Sequence, residues 1–453
     1  MTTTKQYQTF INEVVNRYEK YNNLDNSYYN KIAVKRGLRN SDGTGVIAGL
    51  TKICNVHGYI IDEGEKKPCK GELIYRGINI NDIVSGITAD DRYGFEETAY
   101  LLLFGKLPNA QQLDRFKTIL FDASRLPDGY VESVIKGIKT SNYMNKLASS
   151  VLALYSYDKR ADDCSLENSI RQSVELIARF PIIIALNYLN EQGRLSEVDI
   201  PALSSKSKSI AEAFLSLIRG KEGYTDEEAK LLDLCLVLHA EHGGGNNSTF
   251  TTRVLTSSGT DIYAAISGAV NSLKGPKHGG ANIKVVEMMD VIKSSVSNWS
   301  DDEEIIAFLE RIIRKEVCDR SGLIYGMGHA VYTLSDPRSL LLKQYAEKLA
   351  KKDAALYNEF NLIKKVEELT PYIYSRYKKS EKQISSNVDM YSGFVYKMLG
   401  IPTELFTPLF ALSRITGWSA HRLEELTSCK KIIRPAYKSI ATPIRYTPLK
   451  TRK

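Results

Sequence analysis

The chain has 453 residues, 43% hydrophobic and 25% charged, which excludes intrinsic disorder for all but the ends and allows a sizeable core in two or three domains, or in one body with an appended lobe. Its formal charge is +8, from 61 Lys and Arg against 53 Asp and Glu, and part of the excess lies in Arg434 to Lys453, which has no acidic residue. No nucleic-acid module concentrates that charge, so the surface reads as one that tolerates or attracts a polyanionic small ligand.

The six cysteines, Cys54, Cys69, Cys164, Cys235, Cys318 and Cys429, form no C-x-x-C pair. Zinc ribbons and thioredoxin motifs are therefore unsupported, and reduced thiols in the cytoplasm fit best. Residues 1–20 are amphipathic but contain acids, unlike a signal peptide. No window reaches the ~18 apolar residues that span a bilayer.

In chain order, Tyr59-Ile60-Ile61 and Glu72-Leu73-Ile74-Tyr75 flank a polar turn and predict a small hairpin. Glu96 to Phe104 reads as a helix stopped by Gly105 and Pro108. Thr225 to Glu228 is a capping box, followed by Leu231, Leu234, Cys235 and Leu238 at helical spacing. Ile262, Ile266, Ala269 and Leu273 mark a helix whose small residues permit close packing. Ser300 with Glu303 predicts a second capping box before Ile305, Ile306, Leu309, Ile312 and Ile313. Ser335-Asp336-Pro337 predicts a helix start, with Leu340, Leu341, Tyr345 and Leu349 buried. With no βαβ alternation and no repeat, the fold class is mainly α. Composition shifts near Gly279–Asn282 and Gly400–Pro402 bracket an inserted lobe.

Of six histidines (His57, His239, His242, His278, His329, His421), four lie in three glycine-rich segments. Glycine lets backbone approach a ligand, and imidazole handles protons near neutrality. The first, Leu238-His239-Ala240-Glu241-His242-Gly243-Gly244-Gly245-Asn246, puts two histidines at a helix end; without H-E-x-x-H a metal needs a third ligand, and capping, core or anion contact is the plainer role. The second, Lys274-Gly275-Pro276-Lys277-His278-Gly279-Gly280-Ala281-Asn282, is no P-loop and reads equally as a tight interhelical turn or a site. The third, Tyr325-Gly326-Met327-Gly328-His329, lacks the full dinucleotide fingerprint. Arg338 falls in the first turn of the helix after it, suited to an anion or to a salt bridge. Asp389 precedes an apolar helix, where capping is the default role. Arg414 interrupts an apolar helix from about Leu405 and requires a buried anion, a snorkelling route or a ligand.

Taken together with Tyr75-Arg76-Gly77-Ile78, Asp82, the Glu97–Pro108 run and Asn387-Val388-Asp389-Met390-Tyr391-Ser392-Gly393, these segments resemble the citrate synthase family from about Gly37 to Arg434. The resemblance implies an all-α fold with a minor N-terminal hairpin, and the division 1–33 N-terminal segment, 34–282 large domain, 283–394 small mobile domain, 395–453 large domain and basic tail. It implies a homodimer or dimer-based oligomer with no nucleic acid, no membrane and no permanently bound cofactor, acetyl-CoA being a co-substrate. Asp389 would take a proton from acetyl-CoA, His278 would stabilise the enol or enolate, and His329 would polarise the ketone of oxaloacetate. His242, Arg338 and Arg414 would hold its carboxylates, with Arg434 donated by the neighbouring subunit. Leu323, Ile324, Tyr325, Gly326, Met327 and Gly328 would form the adenine-binding loop of CoA.

Two features sit less easily with that picture. Thr333 stands where many relatives carry a Lys or Arg useful for CoA phosphates. A helix N-terminus should also lower the pKa of Asp389, whereas a carbon base needs it raised; burial would oppose the dipole. Competing expectations are a 2-methylcitrate synthase using propionyl-CoA, a metal hydrolase on His239 and His242, and a non-catalytic helical scaffold.

Overall fold

A computed structural model describes residues 4–22, 25, 27–40, 43–63, 65–197, 208–220, 222–378, 384–428 and 431–452; Cys429 lies outside them. The chain divides into two compact units, Met1–Leu50 and Thr51–Lys453. The first contains α1 (Thr4–Asn22) and the short α2 (Ser27–Lys31).

The second opens with the expected hairpin, longer than predicted: β1 (Cys54–Asp62) pairs antiparallel with β2 (Glu65–Tyr75), and β3 (Ile78–Asn79) adds a short third strand. Its purpose is visible at Gly58 and Gly71. A Cβ on Gly58 would lie 2.8 Å from the Val331 carbonyl, and one on Gly71 only 2.0 Å from that of Ser335. The Gly71 N–H donates to Ser335 Oγ (3.2 Å), and the Tyr332 hydroxyl donates to the Glu72 carbonyl (3.2 Å). The hairpin thus supports the loop that carries His329.

Helices follow: α3 (Ile80–Ala89), α4 (Phe95–Phe104), α5 (Ala110–Ala123), α6 (Tyr143–Ala153), α7 (Leu166–Glu191), α8 (Ile210–Arg219) and α9 (Asp226–His239). Gly105 ends α4 in the left-handed conformation (φ 85°), as the sequence predicts. The Thr225–Glu228 capping box forms at the start of α9, whose first turn places three acids against the helix dipole.

Next come α10 (Asn247–Ser257) and α11 (Ile262–Lys274), packed so closely that a Cβ on Gly268 would meet Leu255 Cδ1 at 2.4 Å. They are followed by α12 (Ala281–Ser295), α13 (Asp302–Ile313), α14 (Pro337–Ala350), α15 (Ala354–Lys378), α16 (Asp389–Met398) and α17 (Phe406–Ser428). Two local expectations shift. Asp301, not Ser300, caps α13, accepting the Glu303 and Glu304 N–H groups, while Glu304 turns back to Ser297 and Asn298. On α14 the buried face is Leu342, Ala346 and Ala350, and Leu340 is exposed, because Arg338 and Ser339 face inward.

The core gathers around α17, which packs on α4, α7, α9, α10 and α11. Its Leu409, Leu412, Ile415 and Trp418 are fully buried, each contributing about 1.5–3 kcal/mol. Among the described residues no helix is long and apolar enough to cross a membrane.

Candidate active site

His278 is carried by the turn between α11 and α12. The turn is tight: the Gly279 N–H reaches back to the Leu273 carbonyl (2.9 Å), where a Cβ on Gly279 would clash at 2.3 Å, and the Thr407 hydroxyl on α17 binds the Gly279 carbonyl. His278 Nε2 accepts the Ser248 N–H (3.4 Å) and lies 3.2 Å from Ser248 Oγ, which Trp418 Nε1 holds from the other side (3.1 Å). A backbone N–H only donates, so the imidazole proton sits on Nδ1. Nδ1 has no protein partner among the described residues. Burial, then the charge of Arg414, pushes the His278 pKa down to about 4. His278 is a neutral donor.

His329 is fixed in the opposite tautomer. Its Nδ1 accepts the N–H groups of Val331 and Tyr332, both at 3.0 Å, which leaves the proton on Nε2. The ring stacks on Tyr332 (4.7 Å) and stands perpendicular to His242 at 5.1 Å.

Asp389 is the first residue of α16. It does not cap the helix; Asn387 Oδ1 accepts the Asp389 N–H (3.0 Å) in its place. No protein donor reaches the carboxylate among the described residues. Burial pushes its pKa up to about 6, against the opposing charges of Arg338 and Arg414. Desolvation therefore outweighs the two neighbouring guanidinium charges.

The strand-like segment before Asp389 is stitched to the 323–328 loop. Gly328 N–H donates to the Ser385 carbonyl (2.7 Å), Asn387 N–H to that of Gly326 (2.9 Å), and Asn387 Nδ2 to that of Gly328 (2.9 Å). Gly326 (φ 82°) and Gly328 (φ 92°) adopt left-handed backbone, and a Cβ on Gly326 would strike Met390 Sδ at 2.7 Å. Ile324 is buried and Leu323 is exposed at the rim; the Tyr325 hydroxyl donates to Asp319 (2.6 Å).

The cations complete the group. Arg338, buried, makes a bidentate pair with the equally buried Asp336 (3.0 and 2.7 Å). Burial lowers its pKa, but Asp336 more than reverses this, so it stays charged. Arg414, fully buried, spends only Nε, on the His239 carbonyl (2.7 Å). Among the described residues its Nη1 and Nη2 have no hydrogen-bond partner, nor does His242 Nε2. Burial, then Arg338, His329 and Arg414, depresses the His242 pKa far below normal. His239 Nδ1 donates to the Cys235 carbonyl (2.6 Å) at the end of α9, and burial, with Arg338 and Arg414, lowers its pKa to about 3. Among the described residues no group of three or more His, Cys, Asp or Glu could hold a metal ion.

Arg414 lies within electrostatic reach of His242, His278 and Asp389, and His242 in turn of Arg338 and His329, so the fold gathers these six residues around one buried cation. Arg434 is not among them. It is exposed after α17, and the Ile433 N–H binds Ser257 Oγ (3.0 Å) at the far end of α10, roughly 13 Å along the axis from Ser248. Sequence reasoning gave no site role to Asp336, marked only as part of a helix start, nor to Ser248, Trp418 or the buried pair Glu241–His421 (3.0 Å). Only Asp336, one residue before a proline and two before an arginine, carried a local signal.

Against known proteins, the family model "Citrate synthase, C-terminal domain" matches residues 40–436. A citrate synthase of Synechocystis sp. is 35% identical over 90% of this chain and 92% of its own. A 2-methylcitrate synthase of Shewanella oneidensis is 31% identical over 84% and 92%. In structure, the citrate synthase of Thermoplasma acidophilum, in a ternary complex with carboxymethyl coenzyme A and oxaloacetate, superposes with a TM-score of 0.75 at 26% identity, covering 92% of this chain and 99% of that one. The chain belongs to the citrate synthase family and is an enzyme of the acyltransferase class.

Proposed function

We propose that the protein condenses acetyl-CoA with oxaloacetate and water to give citrate and CoA. The observation that carries this is the buried cationic slot, where both terminal nitrogens of Arg414 and Nε2 of His242 lack partners among the described residues. A desolvated guanidinium with unused donors is costly unless a small anion completes it, and the dicarboxylate oxaloacetate does so.

The remaining groups divide the chemistry. Asp389, with its pKa at about 6, removes a methyl proton from acetyl-CoA. The Nδ1–H of His278 donates to the thioester oxygen as negative charge builds there, stabilising the enol or enolate. The Nε2–H of His329 donates to the oxaloacetate ketone and then protonates the alkoxide of citryl-CoA, which water hydrolyses. Arg338, already neutralised by Asp336, orients one carboxylate. Residues 283–394 act as a lobe whose closure excludes water and prevents idle thioester hydrolysis. The 323–328 loop receives the CoA adenine, and Arg434 enters the site of the partner in a homodimer. No permanent cofactor takes part. Cys54, Cys69, Cys164, Cys235 and Cys318 are all free thiols, which supports a cytoplasmic setting.

Relatives of similar identity include 2-methylcitrate synthases, so propionyl-CoA is the second candidate substrate. One methylene is worth only ~1–3 kcal/mol in such a pocket. Thiol release from acetyl-CoA and from propionyl-CoA, each with oxaloacetate, decides between them: we expect a higher kcat/KM with acetyl-CoA, and a clear propionyl preference overturns the assignment.

A further inference from the structure

Arg414 presents an electrostatic problem that the catalytic scheme leaves unsolved: a fully buried guanidinium with two idle nitrogens and no ion-pair partner among the described residues. An uncompensated buried charge is strongly destabilising. Glu241, between His239 and His242, is also fully buried. Its Oε1 accepts the Gly243 N–H (2.5 Å) and His421 Nε2 (3.0 Å). His421 is oriented for this because its Nδ1 faces two donors of Arg253, Nε at 3.0 Å and Nη2 at 2.7 Å, so its proton must sit on Nε2. Arg253 is in turn held by Glu425 (2.7 Å) and Glu424.

The second oxygen, Oε2, has no hydrogen-bond partner among the described residues and points at α17 beside Gly417, where a Cβ would lie 2.1 Å away. Gly417 is three residues beyond Arg414, on the same side of the helix. The carboxylate therefore comes close to the guanidinium's helix without bonding the guanidinium. Asp336 does the reverse, consuming two nitrogens of Arg338.

We propose that Glu241 is a positioning residue for the oxaloacetate site, a counter-charge to Arg414 that His421, the Gly243 N–H and the gap at Gly417 hold off the guanidinium. The buried cation is compensated while both terminal nitrogens stay open to a substrate carboxylate. This builds on the oxaloacetate site assigned above. The electrostatics agree: burial lowers the Arg414 pKa and Glu241 is the foremost influence opposing it. Burial likewise pushes Glu241 up, and His421, Arg414 and the Gly243 N–H outweigh it and keep it ionised.

The test is thermal unfolding of the wild type, Glu241→Gln, Arg414→Gln and the double variant, each with and without saturating oxaloacetate. Glu241→Gln should lower the ligand-free Tm by about 5 °C or more. Oxaloacetate should raise the Tm of this variant by more than it raises that of the wild type, because the ligand then supplies the missing negative charge. KM for oxaloacetate should change while KM for acetyl-CoA stays constant. The double variant should regain most of the lost ligand-free Tm. An equal or smaller ligand-induced rise in Glu241→Gln, or a double variant as unstable as the summed single losses, overturns the proposal. If Glu241→Gln does not fold, folding of the double variant supports the counter-charge and its failure to fold refutes it. A wild type that neither releases thiol nor gains Tm with oxaloacetate would remove the proposed reaction, while the ligand-free comparison of single and double variants would still judge the charge pairing.

Discussion

Asn387 and Asp389 flank Val388, the residue that opens α16, and Asn387 binds both ways: its Oδ1 takes the Asp389 N–H at 3.0 Å while its Nδ2 holds the Gly328 carbonyl at 2.9 Å. The arrangement leaves the Asp389 carboxylate out of the helix cap and ties the start of α16 to the 323–328 loop. One amide side chain thereby links the start of α16 to the loop.

Asp389→Asn should lower kcat by at least ~10²-fold without unfolding the protein, judged by steady-state kinetics and circular dichroism. In the wild type, kcat/KM should fall as pH drops through about 6, because the base must be ionised. Stability should run the other way. A carboxyl whose folded-state pKa is raised from 3.8 to about 6 contributes most below 3.8 and loses that contribution as pH rises towards 6. Asp389→Asn should therefore show a higher Tm than the wild type at pH 7, a gap that closes near pH 4.

His278→Ala should also cost at least ~10²-fold in kcat. Ser248→Ala should cost less, about 5-fold, since the backbone N–H that sets the tautomer remains. Equal losses in the two variants would show that the hydroxyl, not the backbone, controls the imidazole.

Arg414→Lys keeps the charge and loses the fork. KM for oxaloacetate should rise at least ~30-fold, a cost of about 2 kcal/mol, with KM for acetyl-CoA little changed. Initial-rate measurements with each substrate varied in turn decide it.

Gly326→Ala forces a side chain into left-handed backbone and against Met390 Sδ. Urea unfolding should report a loss of about 2 kcal/mol or more. The proposed role of the loop in receiving the CoA adenine predicts that KM for acetyl-CoA rises more than KM for oxaloacetate.

Much of this molecule is local in origin. The Thr225–Glu228 box, the Gly105 stop, the Asp336-Pro337 start and the apolar run of α17 all formed as their spacing predicts, because capping and periodicity act within a few residues. The same locality explains the slip: Ser300 and Asp301 are both competent caps, and with Glu304 turned back to the Ser297 and Asn298 N–H groups the aspartate takes the cap.

By itself, then, the sequence determined a helical fold, the order of three histidine segments and the residue types able to move protons and hold anions. It could not determine their states. The Nδ1–H of His278 depends on Ser248, 30 residues away, and the orientation of His421 on Arg253, 168 residues away. The raised pKa of Asp389 and the idle nitrogens of Arg414 are products of burial. Tautomer, desolvation and unused donors are properties of an assembled environment, and only the tertiary structure brings that environment together.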